Sequence, residues 1–438
     1  MAARTGQAGI FSRLGWPRPP RTLRILGRLS IGLAAFSVLA TAGAGWYLHT
    51  SVFGGLASSN ALFGLSRPTQ AGADQNILLM GLDSRRDLDG NDLAPAVLAQ
   101  LHAGSSSDVG GYNTNTLILL HVPADGSGAV ALSIPRDDYV NLPEGLGKHK
   151  IKEAYGRSKA AAETAAAKTG VTDTTHLEQI GREAGRRAAV EAVEDFLNVP
   201  VDHFVEINLA GFADLAGALG GVDVCLREPV NDSYSGADFS AGVHTLNGPQ
   251  ALAFVRQRHG LPNGDLDRTR RQQAFLSGAV AKLRSDGVFD DLGKINGLLA
   301  VARKDVVVDS GFDLLTFMQQ ATSVTSGDIR FFTLPVKGFA TVDGEAVNLV
   351  DQPALEALTR QLLSDSPAEG ATSTASAAAS GLAEAPAADA KVVSTAAPHG
   401  VRKISGSASA PSGVEVRATA AAVPSPTFDP PPGVPCVN

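Results

Sequence analysis

The sequence predicts an α/β domain built on a central, mixed β-sheet flanked by helices and preceded by one transmembrane helix. Three observations carry that expectation. Short apolar runs bounded by turn residues recur along the middle of the 438-residue chain, helix-length periodic stretches fall between several of them, and an uncharged apolar run succeeds a cluster of arginines near the N-terminus.

The N-terminal run comes first. Arg4, Arg13, Arg18, Arg21, Arg24 and Arg28 precede LSIGLAAFSVLATAGAGWYL at 29–48, and no acidic residue occurs before Asp74. At about 1.5 Å rise per residue, such a run spans a hydrocarbon core of roughly 30 Å. Trp46 and Tyr47 fall where an aromatic belt belongs, and the next arginine is Arg67. The positive-inside rule then leaves 1–28 in the cytoplasm and places the chain beyond the span outside the cell membrane. A cleaved signal peptide is the alternative, with Ala42-Gly43-Ala44 as its cleavage site. Against it stands the length of the run, which exceeds the usual apolar region of about 7 to 15 residues.

Residues 49–74 read as a linker and 75–366 as an extracytoplasmic domain. From 367 to 438 the chain turns to Ala, Ser, Gly, Pro and Thr and is expected to be a disordered tail. The middle is long enough for one large domain or at most two. Within it, 76–82, 116–122, 129–134, 204–209, 222–226 and 330–336 read as strands. The clearest helix is 179–197, where Ile180, Ala184, Ala188, Val190, Val193 and Leu197 form an apolar stripe against an Arg/Glu face. The polar stretch 87–111 is expected to be a mobile rim to a site.

Composition narrows the function. The formal net charge is −7, so bulk charge does not favour nucleic acid, and export removes DNA as a partner. The two cysteines, Cys225 in the strand-like VDVCL and Cys436, are too few for a disulfide scaffold. Cys225 reads as a small core residue, with a bridge to Cys436 left open by export. No Cys/His metal spacing is present.

Against this acidic background, FVRQRHGLPNGDLDRTRRQQAFL at 254–276 holds Arg256, Arg258, Arg268, Arg270 and Arg271. Each guanidinium is a permanent planar fork suited to phosphate oxygens, so their convergence would suit a diphosphate or polyphosphate. Asp267 reads as an N-cap. In a helix beginning there, Arg268, Arg271, Gln272 and Phe275 share one face and Arg270 falls off it. The alternative is a solvated helix whose arginines pair with Asp265 and Asp267.

Two further segments end predicted strands, where α/β folds place their sites. NILLMGLDSRRD ends at Asp83 with Arg85 and Arg86 beyond it, and SIPRDD ends at Arg136, Asp137 and Asp138. A strand-end carboxylate beside several arginines suffices for phosphoryl transfer, with Mg²⁺ held by oxygen ligands and substrate phosphates, and cations offsetting charge as the bond breaks. Taken alone, Asp83 reads as a turn former or a partner of Arg85.

In order along the chain, GLDSR, TLILLHV, SIPRD, VDHFVEINLAGFADLAGALGGVDV, the G-x-x-x-L-x-G-x-x-A-L-x-x-x-R-x-R stretch from Gly242 to Arg258, and D-x-D-R-x-x-R-Q-Q from Asp265 to Gln273 resemble the LytR-CpsA-Psr family of cell-wall glycopolymer ligases, actinobacterial type. The resemblance covers about 75–284. It implies transfer of a glycopolymer-1-phosphate from a polyprenyl pyrophosphate carrier to a peptidoglycan hydroxyl at the membrane, with Mg²⁺ as cofactor and no nucleic-acid partner. Carried over, Asp83 would contact the metal, and Arg85, Arg136, Arg256, Arg258, Arg268 and Gln272 would hold the pyrophosphate. Arg271 joins them through the helical face. Asp83, Arg136, Arg256, Arg258 and Arg268 are the expected catalytic set.

The chain departs from the family pattern at one place. Where the family commonly has an arginine and a metal-binding aspartate, this chain reads NTNT, with Asn113 and Asn115. An Asn carbonyl can ligate Mg²⁺, so Asn115 stands as a second metal ligand with one negative charge fewer. Two other functions compete with the ligase: a lipid-pyrophosphate pyrophosphatase, in which water attacks, and a non-catalytic binder of lipid pyrophosphates. A membrane-bound transcriptional attenuator would need a cytoplasmic DNA-binding element, and 1–28 offers no helix-turn-helix.

Overall fold

The computed structural model describes residues 55–64, 73–104, 111–125, 128–287, 292–313, 329–364 and 430–438. The predicted membrane run, the segment before it and most of the tail lie outside these residues. Among the described residues no helix is long and apolar enough to cross a membrane. The chain divides into Met1–Leu56 and Ala57–Asn438, and the α/β architecture belongs to the second unit.

Its centre is a seven-stranded sheet with the order Ala57–Ser59, Val306–Asp309, His203–Ile207, Gln75–Leu82, Thr114–Val122, Val130–Ser133, Arg330–Thr333. The sheet is mixed. Gln75–Leu82 runs parallel to His203–Ile207 and antiparallel to Thr114–Val122, and Arg330–Thr333 runs parallel to Val130–Ser133. Successive side chains of a strand point to opposite faces. Leu78, Met80 and Leu82 accordingly join Leu117, Leu119 and Leu132 in a core closed by Tyr155, Val190, Val193 and Phe196. Each large apolar side chain fully buried there contributes about 1.5–3 kcal/mol.

Those last four residues come from the paired helices Glu153–Lys168 and Thr174–Leu197. The second starts earlier than its apolar stripe predicts. Asp173 accepts the His176 N–H as N-cap (2.7 Å) and nucleates polar turns ahead of Ile180, and Asn198 ends the helix at φ 53°. Other boundaries have equally local causes. His203–Ile207 stops short of 209 because Asn208 turns to cap Leu209–Ala218, accepting the Gly211 N–H (2.7 Å). Arg330–Thr333 stops before Pro335, which has no N–H to give a ladder. The stretch expected to be a mobile rim carries the short helix Pro95–Gln100 and buries Leu98, Leu101 and Ala103, so its described part is anchored.

The opposite face of the sheet meets Leu209–Ala218, Gly248–Arg256 and Asp265–Ser285. In Gly248–Arg256 a reciprocal capping box joins Asn247 and Gln250. Asp265–Ser285 lies hard against strand Val222–Leu226, where a Cβ on Gly278 would stand 2.2 Å from the Asp223 oxygen. Only glycine permits that approach.

Two expectations are corrected by the fold. Cys225 is bonded to Cys436 rather than free in the core. The last residues of the predicted disordered tail form strand Cys436–Val437, parallel to Val222–Leu226, with Arg227 N donating to Val437 O (2.8 Å) and Ser277 Oγ to Gly433 O (2.6 Å). A covalent tie, ladder pairing and a helix contact hold a segment whose composition alone would not.

Candidate active site

Between this second face of the sheet and these helices lies a cavity of about 760 Å³. Its inner wall is apolar, with Ile118, Val205 and Ile207 from the sheet, Phe212, Leu215 and Leu219 from one helix region, and Phe275, Leu276 and Ala279 from another. Phe212, Leu215, Ala216 and Leu219 recur at i, i+3, i+4 and i+7, a periodicity that could have marked this wall in the sequence. The polar mouth is formed by Asp83, Arg85, Asn115, Arg136, Lys152, Arg256, Arg258, Arg268 and Gln272.

Asn115 ties much of this mouth together, and a backbone irregularity places it. Gly81 pairs with Thr116 and Leu82 with Thr114, so the ladder shifts around Asn115. Bulges of this kind re-aim a side chain. Asn115 Nδ2 donates to Asp83 Oδ2 (2.9 Å), its Oδ1 accepts from Arg136 Nη1 (2.8 Å), and its main-chain oxygen accepts from Arg268 Nη2 (3.3 Å). Both side-chain functions are therefore engaged. Asn115, expected as a second metal ligand, here turns its oxygen to the Arg136 guanidinium and its amide nitrogen to Asp83.

Asp265 is a second junction. Its carboxylate lies 2.9 Å from Arg136 Nη2 and 3.0 Å from Arg268 Nη2, so one carboxylate positions two cations. Arg268 is 6 % exposed, and its Nε has no hydrogen-bond partner among the described residues. Burial, reinforced by the Arg136 cation, lowers its pKa to about 10, still cationic at neutral pH. A buried cation with an unused donor beside a cavity favours an anion from outside.

The other arginines complete the rim. Arg85 donates through Nε to Ala103 O (2.6 Å) and lies 3.3 Å from Asp83 Oδ1. Arg256 donates to the oxygens of Leu101 (3.0 Å) and His102 (3.2 Å), and burial, helped by Arg85 and opposed by Asp83, pulls its pKa down. Arg258 is exposed at the rim. Gln272 Nε2 donates to Thr116 Oγ1 (3.0 Å), fastening its helix to the sheet.

Two sequence expectations need adjustment, and a third holds. Asp265–Ser285 starts two residues before Asp267, whose carboxylate instead reaches back to the Asn263 N–H (2.8 Å). Arg271 does not line the cavity: it is fully buried, donates through Nε to Asn438 O (2.7 Å) and stacks over Phe254 at 5.0 Å. A step of about 100° per residue carries it some 60° from Arg268, away from Gln272. Arg270 is exposed and paired with Asp267 at 2.6 Å, as its position off the face predicts.

Lys152, missed in the sequence, lines the mouth and pairs with Asp137 at 2.7 Å. Burial would raise the Asp137 carboxyl, but Arg136 and Lys152 outweigh it and hold it below its ordinary value. Asp138 is fully buried and accepts from Asn348 Nδ2 (2.9 Å). Burial, with Asp137 and Asp265 nearby and the Asn348 bond opposing, raises its pKa to about 8. Neither aspartate lines the cavity.

No cluster of three or more His, Cys, Asp or Glu side chains suited to a metal occurs among the described residues. Asp83 is the cavity carboxylate that stands beside both Asn115 and Arg85. That donor set fits Mg²⁺ only where substrate phosphates and water supply most of the ligands.

The family model that matches the chain is the LytR_cpsA_psr family, over residues 57–364. The chain belongs to the LytR-CpsA-Psr family. It is 38 % identical over 344 residues to the cell wall biosynthesis protein LcpA of Corynebacterium glutamicum, a match covering 77 % of this chain and 65 % of LcpA. The chain thus spans less than two thirds of that relative. It is 27 % identical to the polyisoprenyl-teichoic acid–peptidoglycan teichoic acid transferase TagU of Enterococcus faecalis, covering 64 % of this chain and 82 % of TagU. A Streptococcus agalactiae protein of known crystal structure shares the fold at a TM-score of 0.51, with 21 % identity over 68 % of this chain and 90 % of its own.

Proposed function

We propose that this chain is an exported, membrane-anchored phosphotransferase that moves a glycopolymer-1-phosphate from a polyprenyl pyrophosphate carrier to a hydroxyl of peptidoglycan. One observation carries the proposal: a cluster of cations, with buried Arg268 at its centre, opens onto an apolar cavity. A ligand matching both regions has a diphosphate head and a hydrocarbon tail. Membership of the LytR-CpsA-Psr family, together with the activity in TagU's name, supports the assignment of polymer and acceptor. The disulfide supports an oxidising compartment, which agrees with export behind the 29–48 run.

In this reading the acceptor oxygen bonds to the phosphorus that carries the glycopolymer. The bridging P–O bond breaks, polyprenyl phosphate leaves and the hydroxyl proton is released. Arg136, Arg256, Arg258 and Arg268 bind and orient the diphosphate, and their charge favours the spread of negative charge over the phosphoryl oxygens. Arg85 holds Asp83 in place, and Gln272 keeps the Arg268 helix against the sheet. The apolar wall excludes water from the tail side. Mg²⁺, held by Asp83 and the phosphates, would offset further charge.

Product analysis with a lipid-linked glycopolymer and peptidoglycan tests this reading. Transfer leaves a phosphodiester-linked polymer on the peptidoglycan and free polyprenyl phosphate. Glycopolymer phosphate released into solution, with none on peptidoglycan, would instead identify a pyrophosphatase. Binding without either product would identify a carrier-binding protein.

A further inference from the structure

The turn between strands Val230–Asp232 and Ala237–Phe239 carries Tyr234, whose side chain is exposed although it borders the cavity. Its ring packs against His259 at a tilt of 38°, with centroids 4.3 Å apart, and His259 also lines the cavity. A single exposed aromatic on a protein surface needs no explanation. Tyr234 differs because its turn is fixed from several sides.

Asp232, itself buried, builds that turn. Its Oδ1 accepts the Tyr234 N–H (3.0 Å), its Oδ2 accepts the Ser235 hydroxyl (2.9 Å), and its main-chain oxygen accepts the Gly236 N–H (2.9 Å). His259 Nδ1 stands 3.5 Å from the same Oδ1, so one carboxylate meets both the Tyr234 main chain and the His259 ring. Gly236, at φ 78°, lies so close to His102 that a Cβ would meet its ring at 2.5 Å. The main-chain oxygen of His102 accepts from Arg256. The turn that carries Tyr234 is thus packed against His102, whose main-chain oxygen holds a cavity arginine.

We propose that Tyr234 and His259 form a stacking platform for the first sugar of the glycopolymer, the unit attached to the donor's distal phosphate. The inference rests on the phosphotransferase reading above. With the tail along the apolar wall and the diphosphate among the arginines, the sugar leaves the cavity at the rim. There the face of Tyr234, rich in π-electron density, meets the weakly positive C–H face of a pyranose ring. Because Asp232 and the close approach of Gly236 to His102 fix the main chain of the turn, little backbone ordering cost is incurred on binding.

The test compares two ligands on the full chain: geranylgeranyl pyrophosphate, and the same molecule carrying one hexose on its distal phosphate. The expected result is that Tyr234→Ala weakens binding of the hexose-bearing ligand about fivefold, leaves the sugar-free ligand unchanged, and that Tyr234→Phe binds both like the wild type. Equal weakening of both ligands, no weakening of either, or a loss in Tyr234→Phe as large as in Tyr234→Ala would overturn the platform. A wild-type chain that binds neither ligand would overturn the phosphotransferase reading itself.

Discussion

Two arginines three positions apart on the helix Asp265–Ser285 serve opposite ends. Arg268 faces the cavity, shares Asp265 with Arg136 and leaves Nε without a partner among the described residues. Arg271, turned about 60° around the helix from it, packs onto Phe254 and the C-terminal Asn438 and is completely buried. Burial lowers the pKa of each to about 10. Both stay cationic at neutral pH and both keep guanidinium nitrogens without a partner among the described residues, Nη1 and Nη2 in Arg271, but what surrounds them differs: one opens to a space that a ligand can fill, the other is buried in the protein. A run of arginines in a sequence therefore says that cations are present, and the helix geometry decides which of them can reach a ligand.

The sealed side should respond in stability. The Cys225–Cys436 bond closes a separation of 211 residues. In the chain-entropy model, replacing both cysteines by serine costs on the order of 5 kcal/mol. Denaturant unfolding measures that loss, and product ratios at low temperature should stay as they were. If unfolding were unaffected, the strand would not be held by this bond.

The open side should respond in rate. Arg268→Lys keeps the charge and loses the fork, so turnover is expected to fall on the order of 10³-fold with little change in melting temperature. Arg271→Lys should do the reverse, lowering stability by roughly 1–3 kcal/mol through the lost buried contacts while turnover persists. Equal effects of the two substitutions on turnover would break the contrast between the faces.

Asp83→Ala is expected to lower turnover on the order of 10²-fold and to leave the residual rate indifferent to added Mg²⁺. A residual rate that still rises with Mg²⁺ would place the metal on other residues. The smallest effect belongs to Arg270→Lys, since Arg270 is exposed and pairs with Asp267 three residues before it. Both turnover and stability should match the wild type within about 0.5 kcal/mol.

The sequence made the framework legible where the signal was local. Apolar runs such as 76–82 and 222–226 fell on strands, and the stripe through Val190 and Val193 fell on a helix. Asp83, Arg85, Arg136, Arg256, Arg258, Arg268 and Gln272 gather at one mouth, as the motifs suggested. What escaped depends on tertiary placement. The ladder shift that turns Asn115 toward Asp83 leaves no mark in NTNT. Lys152 acquires its place through Asp137, and Cys436 lies in a stretch whose composition reads as disordered. A rotation of about 60° between Arg268 and Arg271 is small enough for i, i+3 spacing to read as one face, yet large enough to separate cavity from core.

A structure of the chain with geranylgeranyl pyrophosphate bound tests the central claim most directly. The account places the diphosphate against Arg136 and Arg268, with Arg256 and Arg258 closing over it and the tail along Phe212 and Phe275. A diphosphate seated away from Arg268, or a tail lying outside the cavity, would contradict it.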